Sequence, residues 1–123
     1  MYATHLAQAA YAQPASPVRT DRGTEHAAFE RVTALLARAN APGAAFALRA
    51  DAVHRNRQLW TALAADALDP GNALPDGLRA QIVYLQEFTA RQSRAALNGG
   101  DLGALIDINT AVMRGLRGEA STR

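Results

Sequence analysis

The sequence predicts an all-α protein: a small antiparallel bundle of four main helices, with a short N-terminal helix attached. Three observations lead there. Apolar residues recur at three- and four-residue intervals through four long stretches, which puts them on one side of a helix. The first three of these stretches each end in a cluster of Pro, Gly or Asn that a helix cannot run through. The chain is rich in alanine, has only 6% aromatics and contains no useful β alternation, which favours closely packed helices over sheets. Its 123 residues carry no internal repeat and suit one domain spanning 1–123, large enough to bury about two-thirds of the unfolded surface.

The first element is short. Residues 2–12 are good helix formers, and Leu6 and Ala10 lie four apart, but such a helix is marginal without something to dock on. QPASP at 13–17 is a linker, so 1–17 is expected to be loosely attached. The next helix starts between Arg19 and Thr24, where Thr20, Asp21 or Thr24 can cap it, and runs to about Asn40. Phe29, Val32, Leu36 and Ala39 mark its inner face, with Leu35 adjoining, and Asn40-Ala41-Pro42-Gly43 ends it.

A longer helix is expected over 45–68. Leu48, Ala52, Leu59, Leu63 and Ala67 follow its stripe, with Asn56 on the same face and Trp60 and Ala64 beside it. Asp69-Pro70-Gly71-Asn72 stops it, because Pro70 disfavours a helical Asp69. Pro75 and Asp76 suit a new first turn, giving a hairpin whose second helix covers 76–97 and carries Leu78, Ile82, Leu85, Phe88 and Ala96. Asn98-Gly99-Gly100 closes that helix. Asp101 is expected to cap a last one over 102–116, with Leu105, Ile106, Asn109, Val112, Met113 and Leu116 inward or at a contact face. GEASTR at 118–123 is expected to fray.

Little in the composition points to chemistry. Cysteine is absent, which removes disulfides, thiol nucleophiles and cysteine metal sites. His5, His26 and His54 are not spaced three or four apart as helical metal ligands would be. Asp66 and Asp69 read as solvated turn residues, Ser16, Ser93 and Ser121 lack a nucleophile-elbow context, and Gly99-Gly100 is no phosphate loop. The expectation is therefore a non-enzyme with no cofactor, metal or small-molecule substrate.

The formal charge is +2, and all 13 basic residues are arginine. Arg31, Arg38, Arg49, Arg55 and Arg57 sketch a basic face, but Glu30, Asp51 and Asp66 interrupt it and no aromatic-plus-basic RNA signature accompanies it. Direct nucleic-acid binding is not expected. No apolar run approaches the roughly 20 residues of a membrane span, and residues 1–13 lack the charged start of a signal peptide. The expected location is the cytoplasm, without membrane insertion.

Three residues invite two readings each. Trp60 is either a core anchor or a partner hot spot, with the core weightier. Asn56 and Asn109 are polar residues on apolar stripes; each needs hydrogen-bond partners if buried, and a bond between the 45–68 and 102–116 helices is the main reading, partner binding the lesser one. The apolar surplus of the helices leaves room for a groove that an amphipathic partner helix enters.

Several strings share an order and spacing with a known family: Asn56-Arg57-x-Leu59-Trp60-x-x-Leu63-Ala64-x-Asp66, then Asn72-x-Leu74-Pro75-x-x-Leu78-Arg79. Upstream lie Ser16-Pro17-Val18-Arg19 and Glu25-x-x-Ala28-Phe29-x-Arg31-Val32-Thr33; downstream, Leu105-Ile106-Asp107-Ile108-Asn109 and Met113-Arg114-Gly115-Leu116. Together they resemble the FlaF family of flagellar biosynthesis regulators over nearly the whole chain. The resemblance implies a cytoplasmic, non-catalytic factor that binds flagellin as a secretion chaperone and works with FlbT, which restrains flagellin mRNA translation. Helix-in-groove binding of flagellin's helical terminus is the mechanism expected, with Asn56, Arg57, Leu59, Trp60, Leu63, Leu105, Asn109, Val112, Met113 and Leu116 as candidate partner contacts. Two alternatives stand beside it: an RNA-binding regulator acting on flagellin mRNA, and a structural subunit of a FlbT complex.

Overall fold

Short connections decide the topology. The computed structural model describes residues 22–71 and 75–116, with backbone alone at 22–25, Leu78, Gly115 and Leu116. It contains four helices: α1 (Arg22–Ala39), α2 (Phe46–Leu68), α3 (Asp76–Leu97) and α4 (Gly103–Leu116), and no strand among the described residues. The connections at 40–45, 69–75 and 98–102 are too short to recross a bundle, so each helix runs back along the one before it. α1 packs on α2 and α4, and α2 on α3; α3 and α4 touch least among the neighbours, and α2 and α4 stand diagonally opposed. The expected N-terminal helix, its linker and the 118–123 tail lie outside the described residues.

Local chemistry sets the helix ends. α3 closes with a Schellman arrangement: Gly99 N–H donates to the Ala96 carbonyl at 3.2 Å and Gly100 N–H to the Ala95 carbonyl at 3.0 Å. Gly99 has φ +97°, which a side chain resists, and a Cβ on Gly100 would meet the Ala95 carbonyl oxygen at 2.8 Å. Arg49, from the first turn of α2, donates to the carbonyls of Ala96 and Gly100 and so places its charge on the negative end of α3. That removes Arg49 from the expected basic face. α4 begins at Gly103, one residue later than expected: Asp101 caps through an Asx turn to Gly103 N–H at 3.1 Å, and Leu102 supplies the first helical acceptor, to Ile106 N–H. The Leu102 N–H itself donates to Asn40 Oδ1 at 3.0 Å, so the end of α1 holds the start of α4.

The interior is built in two apolar clusters. Phe29, Trp60, Leu85, Ile108, Ala111 and Val112 fill the end nearer the 69–75 turn. Leu36, Ala39, Ala52, Val53, Ala96, Leu102 and Leu105 fill the other. Between them every helix contributes a buried polar residue: Thr33, Asn56, Thr89 with Ser93, and Asn109. In each helix the polar residue lies between members of the two clusters, so the bundle has a polar layer across its waist.

The phase of α2 differs from expectation. Its buried line is Ala52, Val53, Asn56, Trp60, Ala64 and Ala67, and Leu59 and Leu63 are half-buried at the edge. Leucines carry more hydrophobic weight than alanines, but small residues let helix backbones approach, and the alanines took the inside. In α1, likewise, Thr33 is buried and Val32 only half-buried.

Candidate functional site

Two places on the bundle collect the residues that bear on function. The first is interior. Trp60 Nε1 donates to Asn109 Oδ1 at 3.0 Å, and Asn109 Nδ2 donates to Asn56 Oδ1 at 2.8 Å. All three side chains are fully buried. Trp60 also stacks edge-on against Phe29, with ring centroids 5.7 Å apart at 79°. Burying an indole stabilises by about 4–5 kcal/mol as an upper figure, and its N–H needs an acceptor for that gain to survive. Asn109 is that acceptor. The chain of bonds joins α2 to α4 across the diagonal and fixes their register, the best-attested use of a buried amide. Thr89 and Ser93 satisfy their hydroxyls within α3, on the carbonyls of Gln86 at 2.8 Å and Thr89 at 2.7 Å.

The second place is a surface groove of about 800 Å³ along the outer seam of α1 and α2. Val32 and Leu35 from α1 and Leu59 from α2 form its half-buried apolar floor. Arg31 and Arg38 stand exposed on the α1 side and Arg55 on the α2 side. Asp51 is the carboxylate among the lining residues, and both its oxygens accept from Arg55 Nε at 3.1 Å. Periodicity explains the placement. Residues 31 and 38 are two turns apart, with 35 between, and 51, 55 and 59 climb the facing helix in steps of four.

The sequence-derived candidates divide by depth. Asn56, Trp60, Leu105, Asn109 and Val112 are core residues with essentially no accessible surface; for them to touch a partner the bundle must open. Leu59, Leu63 and Met113 are half-buried, Arg57 is exposed, and the Leu116 side chain lies outside the described atoms. Leu59 alone of the ten lines the groove. The expected bond between Asn56 and Asn109 is present. The sequence reading set Arg31, Arg38 and Arg55 aside as part of an interrupted basic face, although their spacing beside Val32, Leu35 and Leu59 was the available signal.

Chemistry is sparse. Among the described residues no three His, Asp or Glu side chains converge as a metal site, and no helix is long and apolar enough to cross a membrane. Asp69 is a turn residue, its Oδ1 accepting from Gly71 N–H at 3.3 Å.

A family model described as flagellar protein FlaF matches residues 7–116. Neither the curated proteins nor the solved structures contain a match. The matched stretch includes all four helices, the buried asparagine–tryptophan chain and the groove, and on that coverage the chain belongs to the FlaF family of flagellar proteins.

Proposed function

We propose that this flagellar protein binds flagellin as a cytoplasmic secretion chaperone, without catalysis, and promotes flagellin synthesis and export together with FlbT. The observation that carries the proposal is the α1–α2 groove: an apolar floor of Val32, Leu35 and Leu59 in the seam between two helices, where a third helix can lie alongside them. A chain awaiting export holds its terminal helices away from their final partners, and their apolar stripes need cover meanwhile. The groove provides such cover through Val32, Leu35 and Leu59, and no bond is made or broken. Leu63 lies one turn beyond Leu59 on α2 and extends the contact toward the 69–75 turn.

The test is a pull-down of full-length flagellin and of forms truncated at either end, on immobilised protein at micromolar concentration. Retention of the full-length chain, lost when one helical terminus is removed, is the expected result. No retention of any form rejects the proposal.

A further inference from the structure

The groove's rim is as informative as its floor. We propose that the α1–α2 groove selects its occupant by charge, taking an amphipathic helix from another protein whose apolar stripe is bordered by carboxylates. This rests on the helix-in-groove reading and adds the chemistry of the partner.

Arg31 and Arg38 are separated by seven residues of α1, about 10 Å along its axis. Among the described residues neither is ion-paired. Arg55 faces them from α2 and is engaged by Asp51 through Nε, which leaves its terminal nitrogens as donors. The lining therefore carries three arginines and one aspartate, 3 − 1 = +2, around an apolar floor. A guanidinium grips a carboxylate through two parallel hydrogen bonds, which gives position as well as attraction. Acidic residues two turns apart on an incoming helix match the Arg31–Arg38 interval, and leucines or alanines between them meet Leu35 and Leu59.

Other occupants fit less well. Residues 1–20 contain no Asp or Glu, so this chain's own N-terminal segment offers the groove apolar side chains but no carboxylate for the rim. A nucleic acid answers the rim with phosphates but has no use for Val32, Leu35 and Leu59 beneath them. Only an acidic amphipathic helix uses both.

The experiment is fluorescence anisotropy on the full chain with two labelled synthetic helices. They share one Leu/Ala stripe and differ in the flanking residues, Glu in one and Lys in the other. The Glu peptide is expected to bind saturably. The Arg31→Glu, Arg38→Glu double variant, its fold checked by circular dichroism, is expected to lose about tenfold in affinity for it and to gain affinity for the Lys peptide. Equal binding of both peptides, or indifference to the charge reversal, overturns the proposal. So does displacement of the peptide by an RNA oligonucleotide. So, too, does quantitative disulfide formation within one molecule between Ala9→Cys and Ala34→Cys, which would give the groove to the N-terminal segment. The two proposals separate cleanly in the pull-down. Flagellin retained equally by wild type and by the charge-reversed variant sinks charge selection and leaves the chaperone standing. A Glu peptide that binds while flagellin does not has the opposite meaning.

Discussion

Asn56 and Asn109 are chemically identical, equally buried and bonded to each other, yet truncating them should not cost the same. Asn109 makes two hydrogen bonds, accepting from Trp60 and donating to Asn56, whereas Asn56 makes one and has an Nδ2 without a partner. Asn109→Ala strands the Trp60 N–H and the Asn56 Oδ1 in the interior. Asn56→Ala strands only the Asn109 Nδ2 and removes an amide nitrogen that was already unpaired. A stranded buried donor or acceptor costs about 1–3 kcal/mol. The loss of Asn109 is therefore expected to destabilise by about 4 kcal/mol and that of Asn56 by about 1–2 kcal/mol. Cavity terms are the same size in both and largely cancel. Against a total of about 5–15 kcal/mol for a domain of this kind the first is severe and the second is tolerable. Urea unfolding followed by far-ultraviolet circular dichroism, with Trp60 fluorescence as the second probe, measures both. Equal costs, or a larger one for Asn56, would refute the hydrogen-bond assignment.

Five further substitutions separate the roles of other residues in the same urea assay. Arg49→Met keeps the aliphatic stem and loses the bonds to the Ala96 and Gly100 carbonyls; it is expected to cost about 2 kcal/mol, which a solvated arginine would not. Gly100→Ala drives a Cβ against the Ala95 carbonyl and destabilises, whereas Gly77→Ala, with nothing within 4 Å, stabilises α3 by about 0.5 kcal/mol. Asn40→Ala frees the Leu102 N–H and is expected to cost about 1 kcal/mol. Asp51→Asn should move stability by less than about 0.5 kcal/mol, because its pair with Arg55 is exposed, while raising affinity for an acidic peptide in the groove.

Helix bounds were legible because punctuation is local. Pro70, Pro75 and Asn98-Gly99-Gly100 dictate where α2 stops and where α3 starts and stops, with no knowledge of what lies opposite. The phase of a stripe is not local. Leu59-Leu63-Ala67 and Asn56-Trp60-Ala64 are both four-residue ladders on adjoining faces of α2, and hydrophobicity alone favours the leucines. The interior took Asn56, Trp60 and Ala64 and left Leu59 and Leu63 at the edge, with Ala67 alone of the first ladder fully buried, because Trp60 has an acceptor on α4 and Ala64 admits a close neighbour. The two asparagines were recognisable as polar intruders on apolar faces, but Thr33, Thr89 and Ser93 pass for ordinary helix surface until four helices align them at one level. The groove was the least visible feature. Arg38 and Arg55 are far apart in sequence, and only the α1–α2 contact makes them two sides of one channel.

Amide hydrogen exchange on the full chain, alone and with saturating flagellin, tests most directly whether this bundle works by covering a partner's helix. Slowed exchange is expected in one helical terminus of flagellin and in residues 28–38 and 51–59 of this protein, with α3 and α4 unchanged. Exchange that is unaltered in both flagellin termini, or protection confined to α3 and α4, would contradict it.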